Sequence, residues 1–284
     1  MVSAKKNILV IGSNSFLASC LISKLKTSAN IIGVYNQATN LHQPDVSYVN
    51  IIDIDKLEDK FELVYLISAY IPQGNKWDNG KLYDVNVGLT EKVAEKFKSA
   101  HLVLASSVSV YGESDTIINE ESPSQNANQY GLSKLWAEAI VKQHPSFAIN
   151  RISSMYGIQM KTSTFLPLII KNALLKGKIT LMGDGARRQN YINVDDVAES
   201  LIKSGERSFN RIFLSVSENS HSNAEIAAII KKYLPDTIIE HQGTDNSLSY
   251  LYDSELTRKV LGWNCKIETE AGIKQLIEWI RKES

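Results

Sequence analysis

Cysteine is almost missing from this 284-residue sequence: Cys20 and Cys265 are the only two, and they lie far apart. That excludes a disulfide framework and a close-spaced zinc site, and points to two reduced thiols in a cytoplasmic protein. Charge of one sign is missing too. Lysine plus arginine and aspartate plus glutamate both number 31, so the basic excess of a nucleic-acid binder is absent. No apolar run approaches the ~20 residues of a membrane span. MVSAKK leads directly into an apolar run, so neither a membrane segment nor a cleavable leader is expected. The five histidines (42, 101, 144, 221 and 241) show no metal-ligand spacing, and no metal is expected.

What is present is a rhythm. Apolar runs at 7–12, 31–35, 47–51, 62–68, 101–107 and 146–152 read as strands. Between them Phe16, Leu17, Cys20, Leu21 and Leu25 recur at helical spacing, a second helix fits 80–98, and a third fits 128–143, ending before Pro145. Such alternation, with right-handed crossovers, predicts an α/β fold: a Rossmann-type doubly wound parallel sheet with ligands at the carboxyl ends of its strands. After residue 153 the rhythm changes. Helices fit 164–176, 222–234 and 269–282, strands fit 211–216 and 237–240, a Gly-rich loop spans 182–190, and a strand and helix span 191–204. The expected organisation is a dinucleotide-binding domain over 1–153, rejoined by 190–210, and a smaller α/β C-terminal substrate lobe over 154–284.

The first strand ends in Gly12-Ser-Asn-Ser-Phe-Leu-Ala18, which opens the first helix. Gly12 permits a tight turn, and the N–H groups around Asn14, Ser15, Phe16 and Leu17 suit a pyrophosphate at a helix start. Only one glycine of a three-glycine motif remains, and the segment reads equally as an ordinary turn with Asn14 or Ser15 as N-cap. The second strand ends in Tyr35-Asn36-Gln37, with neither the acid that favours NAD nor an arginine that favours NADP. Asn36 is the ribose candidate, or else a turn asparagine.

Tyr130 and Lys134 stand four apart near the start of a helix, so phenol and ammonium share one face. An ammonium there lowers the phenol pKa and makes Tyr130 a usable acid/base for alcohol–ketone interconversion. One such pair is expected by chance in this composition, so position carries the argument. Ser106 and Ser107 end the fifth strand 23 residues before Tyr130, and a serine there can polarise a reacting oxygen.

With these segments in this order, the sequence resembles the extended short-chain dehydrogenase/reductase superfamily, the NAD-dependent epimerase/dehydratase family of sugar-nucleotide enzymes. Gly12, Ser15, Phe16 and Ala18 stand for its glycine motif. Asp53-Ile54 matches its adenine-contacting pair, and Leu66-Ile67-Ser68-Ala69 a segment that lines the dinucleotide. Asn86-Val-Gly-Leu-Thr90 matches a helix segment, Ser106 to Gly112 the S-S-x-x-V-Y-G strand end, and Tyr130 to Lys134 the Y-G-x-S-K motif. Later segments, Arg151 to Gly157, Gly183 to Asp196 and Leu261-Gly-Trp263, resemble its sugar-nucleotide branch. The resemblance implies NAD or NADP held by Gly12 to Leu17, Asn36, Asp53, Ile54, Ile67, Ser68, Ala69, Asn86, Ser106, Tyr130 and Lys134. It implies catalysis by Ser107, Tyr130 and Lys134, a nucleotide-sugar substrate, and a homodimer through helices 80–98 and 128–143.

The departures lie on the substrate side. Ser154 replaces an asparagine and Gln189 the phosphate-binding arginine, with Arg187 and Arg188 as neighbouring substitutes or as plain solvated arginines. Val108 and Ser109 stand where the 4,6-dehydratases carry Asp-Glu. The reaction expected is hydride transfer at a sugar carbon, C4 of a nucleotide-linked hexose. A 4-ketoreductase is slightly favoured over a 4-epimerase. A non-catalytic dinucleotide sensor is the reading from another class, and it predicts that Tyr130→Phe leaves the biological role intact.

Overall fold

Runs of β-branched and leucine residues, cut by glycine and polar turns, become the layers of the computed structural model, which describes residues 5–72, 77–206 and 209–283. The chain begins β1 (Lys6–Ile11), α1 (Phe16–Leu25), β2 (Ala29–Tyr35), β3 (Ser47–Asn50) and β4 (Leu63–Leu66). Next come α2 (Asn79–Lys81), a π turn (Leu82–Gly88) and α3 (Leu89–Lys96), then β5 (His101–Ser107), α4 (Gln129–Val141) and β6 (Phe147–Ile152). The remainder is β7 (Ser154–Tyr156), α5 (Phe165–Lys176), β8 (Lys178–Met182), β9 (Arg188–Asn193), α6 (Val194–Gly205) and β10 (Arg211–Ser215). It closes with β11 (Ser220–Ser222), α7 (Asn223–Tyr233), β12 (Ile238–Gln242), α8 (Glu255–Leu261) and α9 (Thr269–Glu283).

Seven strands form one parallel sheet in the order β3-β2-β1-β4-β5-β6-β10. The chain runs outward from β1 to β3, returns, and continues from β4 on the other side. The switch point therefore lies between the carboxyl ends of β1 and β4, where an open α/β sheet offers a crevice. Strand parity sorts the core. Val103 and Ala105 of β5 pack in the layer with α1 and α6, whereas Leu102 and Leu104 pack in the layer with α3 and α4. A third core, with Ile170, Ile179, Ile226 and Ile277, joins α5, β8, α7 and α9.

The segment expected to rejoin the main sheet does so only by its helix. α6 packs on α1 and against β5 and β6. Its preceding strand, β9, instead joins a separate sheet, β11-β9-β7, and it begins at Arg188, inside the stretch expected to be a loop. The strand that does join the main sheet is β10. The expected helix 80–98 is interrupted by the π turn, a form that clusters at functional sites.

Two expected motifs are structural ties. Asp196 accepts the backbone N–H groups of Lys266 and Ile267 at 2.9 and 3.0 Å, and its carbonyl accepts the Trp263 indole at 3.1 Å. The Val-Asp-Asp and Leu-Gly-Trp segments therefore meet to fasten the chain after α8 onto α6. No helix among the described residues is long and apolar enough to cross a membrane.

Candidate active site

At the switch point Gly12 adopts φ +92°, and a Cβ there would come within 2.6 Å of the Ser68 backbone nitrogen. Only glycine fits both the torsion and the approach. Ser15 caps α1: its hydroxyl accepts the Ala18 N–H at 3.2 Å. The cap reading and the anion reading coexist, since one hydroxyl satisfies one N–H and the first-turn N–H groups of Phe16 and Leu17 remain for an anion. The first turn carries no acid. Beside it a cleft of about 410 Å³ is lined by Val34, Tyr35, Asn36, Ile51, Ser68, Asp84, Val85 and Lys92. A glycine that lets backbone approach, an open helix start and a cleft at the strand ends fit a dinucleotide.

The side chains of the expected cofactor residues divide between the cleft and the core. Asn36 and Ser68 do face the cleft, and Ala69 is exposed beside Ser68. Leu17, Ile54 and Ile67 turn their side chains into the core, and the cleft wall near Asp53-Ile54 is Ile51 instead. Asp53 is paired with Lys56 at 2.6 Å. Asn86 is spent on fastening: its amide accepts from Tyr70 N at 2.7 Å and donates to Tyr70 O at 3.0 Å and Ser133 Oγ at 2.9 Å. It ties the loop after β4 to α4 from within the π turn. Ser106 shares the face of Leu102 and Leu104, so its buried hydroxyl meets α4, donating to Glu138 at 2.6 Å. Asn14 and Phe16 remain half-buried at the turn.

Ser107 and Tyr130 come together at the carboxyl end of β5, and Lys134 is buried one turn further along α4. Ser107 ends β5, and its hydroxyl accepts the Ser109 N–H at 3.1 Å as the 3₁₀ turn Val108–Tyr111 begins. The Ser107 hydroxyl acts on the Tyr130 phenol and favours its ionised form. Close contact between α4 and that turn demands Gly131, where a Cβ would lie 2.2 Å from the Ser109 carbonyl. Asn128 caps α4 by accepting the Gly131 N–H at 2.9 Å.

The electrostatics differ from the expectation that Lys134 lowers the phenol. Burial pushes Tyr130 up to about 12, with the Ser107 hydrogen bond opposing. Burial pulls Lys134 down to about 8, with Glu138 opposing. The amine thus loses its proton before the phenol ionises, and in the protein alone no ammonium remains to hold a phenolate.

Behind this pair lies a buried group that the sequence reading missed. Glu138 is fully buried and holds Arg151 by two bonds, 2.7 Å to Nη2 and 3.0 Å to Nε. Arg151 also lies over the Tyr111 ring at 4.6 Å. A glutamate among Ala137 and Val141, inside an apolar stripe, was the available signal.

On the substrate side, Ser154 is exposed at the start of β7 and pairs in register with Tyr191. Arg188 is not free: it donates to Ser220 O at 2.7 Å and bridges Glu225 at 2.7 Å, where Glu225 also completes the capping box of α7. Gln189 reaches Asn223 at 3.4 Å. Arg187 is half-buried, with only a 3.4 Å contact to Leu248 O, and its charge acts on Tyr191. The Tyr191 hydroxyl is buried with no hydrogen-bond partner among the described residues. Of the two arginines, Arg187 is therefore the one open to a ligand. Among the described residues no cluster suited to a metal ion occurs.

Comparison with known proteins gives concordant matches. The model of the NAD dependent epimerase/dehydratase family matches residues 8–211. A UDP-glucose 4-epimerase of Mycolicibacterium smegmatis is 25% identical, covering 97% of this chain and 99% of its own. A dTDP-D-glucose 4,6-dehydratase of Mus musculus is 27% identical over 68% of this chain, and the match spans 57% of that enzyme. Among solved structures, a UDP-glucuronic acid 4-epimerase variant of Bacillus cereus, in complex with a fluorinated UDP-sugar and NAD, superposes with a TM-score of 0.89 at 18% identity, covering 98% of this chain and all of that one.

Proposed function

This chain belongs to the NAD dependent epimerase/dehydratase family, and on that premise we propose that it moves a hydride at C4 of a nucleotide-linked hexose, with NAD as its dinucleotide. The observation that carries this reading is Tyr130 beside Ser107 at the carboxyl end of β5, with Lys134 buried one turn further along α4. The earlier preference for a 4-ketoreductase gives way to a 4-epimerase, because the 4-epimerase relative matches nearly the whole of both chains and the dehydratase only part. Val108 and Ser109, in place of an Asp-Glu pair, count against dehydration. The ketoreductase is retained as a second reading on one observation: Gln189 at the phosphate position leaves Arg187 as the only open guanidinium on that loop.

The dinucleotide, when bound, supplies the hydride acceptor and donor. The chain's own residues do the rest. Tyr130 takes the proton from the C4 hydroxyl and returns it. Ser107, held by Ser109, orients that oxygen. Lys134 holds the ribose next to the nicotinamide, and Arg187 with Tyr191 receives the diphosphate. The test is incubation with UDP-galactose and with a 4-keto nucleotide sugar. Interconversion of UDP-galactose and UDP-glucose without net NADH consumption supports the epimerase. Stoichiometric consumption of NADH or NADPH with the 4-keto sugar moves the assignment to a reductase, and inertness toward both overturns the reading.

The same reading includes a homodimer. Leu132 and Trp136 of α4 and Tyr83 of the π turn are 54%, 56% and 45% exposed, and Tyr83 meets Trp136 edge-on at 5.6 Å. These are the faces of the two helices that a second copy would cover, and buried aromatics carry much of an interface's energy. In sedimentation velocity the protein is expected to run as a dimer, and Trp136→Glu as a monomer. A monomeric parent protein rejects this assignment.

A further inference from the structure

Tyr130, Lys134 and Glu138 follow one another at four-residue steps along α4, and the last two belong to its buried face. Lys134 is 1% exposed and Glu138 not at all. A buried amine sheds its proton unless an anion compensates. Among the described residues Glu138 is the one carboxylate whose charge bears on Lys134. Its carboxylate is held from two strands at once. Ser106 and Arg151 are register partners on β5 and β6, so they stand side by side beneath α4 and both donate to Glu138.

The other charged groups near this stripe point elsewhere. On the adjoining helical segment Asp84, Glu91, Lys92 and Glu95 are exposed. Tyr111, from the 3₁₀ turn, lies under Arg151. The Glu120 carboxylate is bonded to Thr257. On β5, His101 sits at the far end of the strand, bonded to Ser146 and Ser204. On α4 itself Tyr130 turns toward Ser107.

We infer that Glu138 is a positioning residue for the acid/base pair: a buried counter-charge, fixed by Arg151 and Ser106, that keeps Lys134 an ammonium at working pH. The inference rests on the assignment of Tyr130 and Lys134 as that pair, but its test does not need a substrate. Two roles are separable here. A pure staple between α4 and the sheet would change stability and leave the amine alone. A counter-charge would move the protonation of Lys134.

The experiment is a ¹³C NMR titration of the lysine Cε carbons in labelled full-length protein, with Lys134 assigned by its absence from Lys134→Met. Burial and Glu138 together place its midpoint near pH 8. Glu138→Gln is expected to lower that midpoint by about one pH unit, a tenfold change in the protonation constant. Because Glu138→Gln leaves a buried guanidinium unpaired, it risks not folding. The double variant Glu138→Gln/Arg151→Met removes both charges together, and the midpoint is expected to fall there as well. An unchanged midpoint in either folded variant overturns the proposal. So does a midpoint below pH 7 in the unsubstituted protein, which needs no variant. If the midpoint moves as expected while no nucleotide sugar is turned over, the electrostatic role stands and the functional assignment falls.

Discussion

Tyr130→Phe is expected to lower turnover of a nucleotide-linked hexose by about 10²–10⁴-fold, the range typical of a lost general acid/base, while NAD still binds. The change removes one oxygen and keeps the ring. Packing beside Gly131 therefore stays, and what goes is the hydroxyl on which Ser107 acts. Steady-state rates on UDP-galactose, alongside a fluorescence titration with NAD, separate the two effects. The pH dependence carries a sign as well. Lys134, pulled down to about 8 by burial, is an ammonium below that pH and neutral above it. A reaction that needs the Lys134 ammonium beside the neutral phenol loses kcat/KM of the free enzyme as pH rises through 8. A Tyr130→Phe protein that turns over at the parent rate would leave a dinucleotide-binding scaffold without this chemistry, as the sensor reading requires.

How far the sequence speaks for itself depends on element length and on parity. The central strands were legible because each is a long buried run, as in β5 with six of its seven residues buried. β7 and β11 span three residues each, too few to show a period, and β12 is exposed along most of its length. They exist because β9 and β8 supply partners from distant sequence. Ser107, Tyr130 and Lys134 could be named as candidates because four-residue spacing on a helix and the end of a strand are local facts. Parity decides the direction of Ser106: one residue from Ser107, it faces the opposite layer and meets Glu138, a partner that the strand alone does not announce. The ties of Asn86 were hidden for a related reason, since its partners Tyr70 and Ser133 belong to other segments. The Arg151–Glu138 pair links two elements 13 residues apart, and neither residue announces the other. Arg188 looked available only because Glu225 lies 37 residues away in sequence.

Lys134→Met is expected to inactivate the enzyme and to stabilise it. Lys134 is 1% exposed, and its protonation constant is pulled from 10.5 down to about 8. Below pH 8 the folded protein carries a buried ammonium that the unfolded chain would hold in water. That difference of 2.5 pH units corresponds to about 3 kcal/mol of lost stability. Between pH 8 and 10.5 the unfolded chain binds the extra proton, so stability rises with pH there and the penalty fades. Methionine has the same reach with no charge to desolvate. Its introduction leaves no orphan, because Glu138 stays bonded to Arg151 and Ser106. Urea unfolding at pH 7 should therefore show a gain of about 2–3 kcal/mol, shrinking toward zero by pH 10.5. A purely structural lysine would behave in the opposite way, and its removal would destabilise. A loss of stability in Lys134→Met at pH 7 would mean that this amine is held for packing, and that the fold does not sacrifice stability to keep a charge beside Tyr130.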